Sequence, residues 1–270
     1  MKIPILDKFM FDEPSVWVTA TTIATLISTL YLIFAEIMGN HLQYSKFANS
    51  NKTASTTNKQ EAGVKIPSRI GMLIFYTPAF LAGLVSFFLF PGGDLRFFLL
   101  KLAVTLHFFK RDLEVLFVHK YSGGIILGSI IVVSGCYLSA AAGLITIHYL
   151  TLGQPEPSVD LKYIGLITYI VGILGNFYHH KLLSELRKNN EKEYKIPQGG
   201  LFNLVICPHY LFEITIFVGL SFISQTPLAF ACTFGVSLYL TSRSYATRKW
   251  YMDKFEDFPK HIKCVIPYLL

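Results

Sequence analysis

The sequence predicts an all-α integral membrane protein: a bundle of seven transmembrane helices, N-terminus lumenal and C-terminus cytosolic. Three observations predict it. Of 270 residues, 52% are hydrophobic and only 15% charged, whereas a soluble domain carries about 25% charged residues. Apolar runs recur at about the 20 residues that cross a bilayer. Lys and Arg gather in alternate connections, the positive-inside pattern.

The runs fall at roughly 16–37, 70–90, 96–118, 124–149, 161–180, 201–223 and 227–246. The first starts near Val16, is long, and leads through Glu36 into a polar loop, so it reads as a span rather than a cleavable signal. The connection after it holds Lys46, Lys52, Lys59, Lys65 and Arg69. Its 48–62 portion is polar and low in complexity, a flexible cytosolic loop in which the Asn51-Lys52-Thr53 sequon stays unused. The third run is the least apolar, with Lys101, His107, Lys110, Arg111 and Glu114. The 150–160 connection has Glu156 and Asp160 without a base, and the 224–226 turn is uncharged. Basic residues return after His180 (Lys181, Arg187, Lys188, Lys192, Lys195) and in the tail (Arg248, Lys249, Lys254, Lys260, Lys263). Seven spans make these connections alternate; an even number does not.

No linker or internal repeat divides the chain, so residues 1–270 read as one membrane domain. The net charge of +7 is spent at the span ends, which argues against nucleic acid as a partner. Cys136, Cys207, Cys232 and Cys264 form no CxxC pair and read as isolated buried residues, with neither a disulfide framework nor a metal site.

Ionisable groups inside a membrane point to a site. His107, Arg111 and Glu114 share one face of the third span, at i, i+4 and i+7; the alternative is an ion-paired ledge with Lys110 snorkelling to the surface. In the sixth span, His209 and Glu213 lie four apart around Tyr210, and Pro208 is expected to kink the helix and open a pocket. Across a short loop, Asn176, His179 and His180 face this group. No HExxH and no histidine-box array supports a di-iron centre, and no GxGxxG supports a Rossmann domain. Basic loops at 181–195 and 243–249 offer phosphate contacts instead.

These residues carry a resemblance. Gly175-Asn176, Leu186-Arg187-Lys188, Ile196-Pro197-Gln198-Gly199-Gly200-Leu201-Phe202, Cys207-Pro208-His209-Tyr210 with Glu213, and Phe255-Glu256-Asp257-Phe258-Pro259-Lys260 followed by Ile266-Pro267 occur in this order over 172–270. They resemble the steroid 5α-reductase family, with the reductase-like region set at 121–270. Leu106 to Ser122 and the Cys-Pro-His-Tyr run are similar to its very-long-chain trans-2-enoyl-CoA reductase branch. The resemblance implies a seven-span, multi-pass enzyme of the endoplasmic reticulum membrane that uses NADPH to reduce a carbon–carbon double bond. It implies a cofactor pocket open to the cytosol, with Asn176, Arg187, Arg243 and Tyr251 at cofactor-binding positions. His180 and His209 align with two more, where steroid reductases have Asp and Asn. Steroid reductases also carry Gln-Glu before a proline where this chain reads Phe75-Tyr76-Thr77-Pro78, and Tyr where it has Phe108.

The function expected is NADPH-dependent reduction of a double bond conjugated to a carbonyl in a lipid: an enoyl-CoA, steroid or isoprenoid. Tyr210 is the expected acid with Tyr76 behind it, His107 and Glu114 complete the catalytic set, and Glu213 orients His209 or the cofactor amide. No metal is expected. The rivals are an S-adenosylmethionine-dependent membrane methyltransferase of the isoprenylcysteine type, or an inactive family member.

Overall fold

A computed structural model of the chain describes residues 8–47, 64–187 and 194–269. The loop predicted at 48–62, its sequon, and Lys188 and Lys192 lie outside the described residues. Seven α-helices follow in order among these residues: α1 (Val16–Ile37), α2 (Ser68–Leu89), α3 (Leu95–Leu113), α4 (Leu127–Tyr149), α5 (Lys162–Glu185), α6 (Pro208–Ser224) and α7 (Pro227–Lys254). α1, α2 and α4 are long and apolar enough to cross a membrane, and α6 is a shorter apolar helix.

Local chemistry sets several boundaries. The Ser15 side chain accepts from the Val18 amide and the Asp94 side chain from the Phe97 amide, capping α1 and α3. Gln225, at φ 50°, ends α6 in the left-handed conformation.

Five expected spans have ends that the structure draws differently. α3 stops at Leu113 and runs into a π-helical turn, Glu114–Val118. α4 starts at Leu127 because Gly124–Ile126 (β2) pairs antiparallel with Lys65–Pro67 (β1), Lys65 opposite Ile126; this two-stranded ribbon departs from the all-α expectation. α5 continues beyond His180 to Glu185, and α7 runs to Lys254 instead of ending at 246, since helix formers persist past the apolar stretch. α6 starts seven residues later than expected, because Gly199 and Gly200 take φ +86° and +52° and lead into a 3₁₀ turn over Gly200–Asn203. Pro208 therefore starts α6 and does not kink it: at the first helical position its missing amide is no loss.

The connections gather at two ends. At one, Arg96 on α3 reaches the Ile223 carbonyl (2.9 Å), Gln225 (2.7 Å) and Asp160 (2.7 Å), and also pairs with Glu156. The Phe11 amide bonds the Gln225 carbonyl there at 2.9 Å. At the other end, the β1–β2 ribbon, the Lys120–Arg187 bonds and the tail come together, the tail through the Cys207 amide on the Cys264 carbonyl (3.1 Å). The helices thus run alternately between the two ends. The main core joins α2, α3, α4, α5 and α6 around Phe75, Leu100, Val104, Ile145 and Ile216.

Candidate functional site

The C-terminal end of α3 builds the site. Its last turn and the π-helical turn after it bring Lys110, Arg111 and Glu114 together: Lys110 Nζ lies 2.9 Å from one Glu114 oxygen and Arg111 2.5 Å from the other. Both cations reach on to other helices. Lys110 donates to Asn176 Oδ1 of α5. Arg111 contacts His180 Nδ1 of α5 at 2.9 Å and donates to the Tyr76 hydroxyl of α2 at 2.6 Å. Arg111, Glu114 and His180 are all buried. An unpaired charge there costs several kcal/mol, so reciprocal pairing is what lets the group exist.

α6 completes the group. Asn176 Nδ2 donates to the His209 carbonyl (2.9 Å) and to Glu213 Oε2 (3.1 Å). Glu213 Oε1 faces His107 Nε2 at 3.3 Å. The structure therefore unites His107, Glu114, Tyr76, Asn176, His180, His209 and Glu213 in one cluster. His107 lies on the helical face that carries Arg111 and Glu114, and its ring meets Glu213. Glu213 bonds Asn176 and faces His107, with no bond to the His209 side chain among the described residues. The neighbouring histidines separate as adjacent helical residues must. His179 is occupied structurally, Nδ1 at 2.7 Å from the Gly175 carbonyl and Nε2 accepting the Leu201 amide at 3.1 Å, while His180 faces the cluster.

Arg243 and Tyr251 form a second group, with no direct bond to the Asn176 cluster among the described residues. Arg243 is buried on α7 and pairs with Glu36 of α1 at 3.2 Å. It also donates to the Leu42 carbonyl (3.1 Å) and stacks 4.1 Å from the Tyr44 ring centroid. Lys46 lies 4.6 Å from the Tyr251 ring centroid; burial, the largest influence, brings its ammonium down to about 8. Tyr210 joins the two groups. Its ring is 4.4 Å from His209 and packs on the cluster of Cys207 and Tyr251. Arg187 stands at the rim, donating to the Lys120 carbonyl (2.9 Å) and Ser122 (3.1 Å). Glu36, Tyr44 and Lys46 were missed in the sequence. The one available signal was an acid, Glu36, at the end of a span otherwise without charge.

The cluster suits a polar, anionic ligand. His107 Nδ1, Arg111 Nε, Tyr121 Oη and His209 Nδ1 are buried without a hydrogen-bond partner among the described residues. Each such atom costs about 1–3 kcal/mol when left unpaired, which a bound polar group would relieve. Ligand atoms of Glu114, His119 and His180 lie within 4.8 Å of one another, a spacing that a metal could use. Lys110 and Arg111 already occupy that carboxylate, and burial followed by the charges of His180 and Arg111 depresses His119 to about 2. A metal ion would have to displace the two cations already paired with Glu114.

Comparison with known proteins shows the family. A family model described as 3-oxo-5-alpha-steroid 4-dehydrogenase matches residues 127–270. A steroid 5-alpha-reductase of Gossypium hirsutum is 31% identical over 68% of this chain and 76% of its own length. A very-long-chain enoyl-CoA reductase of Dictyostelium discoideum is 29% identical over 62% and 56%. A polyprenal reductase of Oryza sativa subsp. indica is 37% identical over 40% and 31%.

Proposed function

Because the chain belongs to the 3-oxo-5-alpha-steroid 4-dehydrogenase family, we propose that it reduces a carbonyl-conjugated carbon–carbon double bond in a lipid with NADPH. The family and its relatives make it a membrane oxidoreductase acting on CH–CH bonds. NADPH, the endoplasmic reticulum location and the lipid are this proposal's own. So are seven spans with a lumenal N-terminus, supported by the alternating helices and by basic residues at the β-ribbon end.

The carrying observation is the Asn176–Glu213–Lys110–Arg111 cluster with its unpartnered buried atoms. Glu213, held by the Asn176 amide, would accept from the nicotinamide carboxamide. His180 and His209 would line the same end. Arg187 at the rim would meet the phosphates on the cytosolic side, with Arg243 a fixed charge behind Tyr44 and Tyr251 a ring for stacking. NADPH, when bound, supplies the hydride. The protein's part is to exclude water, to hold a hydrogen-bond donor where enolate charge develops, and to supply a proton.

The test is NADPH binding by the detergent-purified protein, and NADPH oxidation with a 3-keto-Δ4-steroid, a trans-2-enoyl-CoA and a polyprenal. Micromolar binding, weakened at least tenfold by Arg187→Ala, is expected. Binding of S-adenosylmethionine without NADPH would overturn the proposal in favour of a methyltransferase.

A further inference from the structure

We propose that Tyr76, held by Arg111, is the acid that serves the substrate carbonyl, in place of Tyr210; this rests on the reductase reading above. Tyr76 is buried at 4% exposure on α2. Its oxygen accepts from Arg111 at 2.6 Å, and Arg111 is its one hydrogen-bond partner among the described residues. A guanidinium can only donate. The Tyr76 oxygen is therefore the acceptor in that bond, and its own proton remains to be given elsewhere. The positive group on the phenol oxygen also stabilises the tyrosinate left when that proton departs. Tyr210 has no such cation among its described hydrogen bonds and ion pairs; its ring lies tilted against His209, 4.4 Å between centroids.

Arg111 is the positioning residue. Its other terminal nitrogen is fixed by Glu114 and His180, so the Tyr76 contact comes from a guanidinium clamped on three sides. The phenol ring is fixed as well, against Phe75 (6.1 Å between centroids) and Tyr137 (5.3 Å), and Tyr137 packs in turn on Phe108 (5.5 Å). Aromatic side chains from α2 and α4 thus hold the Tyr76 ring, and Phe108 of α3 backs Tyr137. Such a wall takes the conjugated carbonyl end of an apolar substrate.

The step balances. Bound NADPH would supply hydride to the β-carbon, its nicotinamide C–H bond breaking as NADP+ forms, and the double-bond electrons would move toward the carbonyl oxygen. The Tyr76 O–H bond breaks as that oxygen takes the proton, giving an enol that tautomerises to the saturated carbonyl. A solvent proton restores the tyrosine.

Tyr76→Phe removes one oxygen and keeps the ring packing. The expected result is kcat lowered at least a hundredfold, with NADPH affinity and KM each within threefold of wild type, and Tyr210→Phe retaining more than a tenth of wild-type kcat. A Tyr76→Phe kcat within threefold of wild type overturns the assignment. A second measurement needs no turnover: the infrared carbonyl stretch of a bound ¹³C=O-labelled 3-keto-Δ4-steroid or polyprenal. It should lie lower in wild type than in Tyr76→Phe; equal frequencies sink the proposal. Absence of NADPH binding by wild type sinks the reductase reading separately, while the infrared shift still decides whether Tyr76 contacts the carbonyl.

Discussion

At the residue scale, the cost of a buried charge explains most of the pairings. Arg243 and Glu36 are 1% and 3% exposed and come from opposite ends of the sequence. Arg243→Ala leaves Glu36 buried with, among the described residues, only His41 at 2.9 Å. We expect a loss of about 3–5 kcal/mol, read as a lowered midpoint in detergent thermal unfolding. Glu36→Gln combined with Arg243→Met should recover at least half of it, because no charge is then left alone; an Arg243→Ala melt matching wild type refutes the pairing argument. Single residues were partly legible. Asn176, His180, His209 and Glu213 stood out as polar groups beside apolar runs, and they meet. That Glu213 would turn to His107, 106 positions earlier, was not, because helical spacing relates residues within one helix and says nothing of the neighbour each faces.

At the element scale, glycine decides how close α5 and α6 come. A Cβ on Gly219 would lie 2.6 Å from the Tyr169 amide nitrogen, and one on Gly172 2.7 Å from the Ile216 nitrogen. The two backbones nearly touch, as small residues permit between membrane helices. This approach lets Asn176 on α5 reach the first turn of α6. Gly219→Ala should therefore cost about 1–3 kcal/mol and weaken NADPH binding, because it spreads the pair that carries Asn176 and Glu213. Gly135→Ala on α4 meets open space and should be within about 0.5 kcal/mol of wild type. Equal melting of the two variants would refute the close-packing argument. Helix existence followed from the apolar runs. Boundaries did not: the β1–β2 ribbon and the turn at Gly199–Gly200 replaced expected helix ends, because strand pairing and positive φ depend on partners and backbone, not on hydropathy.

At the scale of the whole molecule, two charged assemblies lie near opposite ends of α3. Arg96 and Arg111 are fifteen positions apart on it, about 22 Å along a helix axis. Arg96, with Glu156, Asp160 and Gln225, ties the helix ends away from the site; Arg111 ties α2, α3 and α5 at the site. The orientation proposed predicts that a glycosylation acceptor placed in the Gly153 turn is modified in microsomes and one appended after residue 270 is not. The reverse pattern would overturn the orientation, and modification at both would overturn the odd span count.

Sequence alone determined the membrane class, the helix order and the polar stretch from Asn176 to Glu213, since these follow from composition, run length and motifs carried within short windows. Only the tertiary structure decided which charges pair: that Arg111 holds Tyr76, that Arg243 holds Glu36, and that Pro208 begins a helix where a kink was expected. Desolvation makes every buried charge seek a partner, but which partner lies within reach is set by the approach and rotation of whole helices. The folded packing of α1 on α7 and of α2 on α3 fixes both.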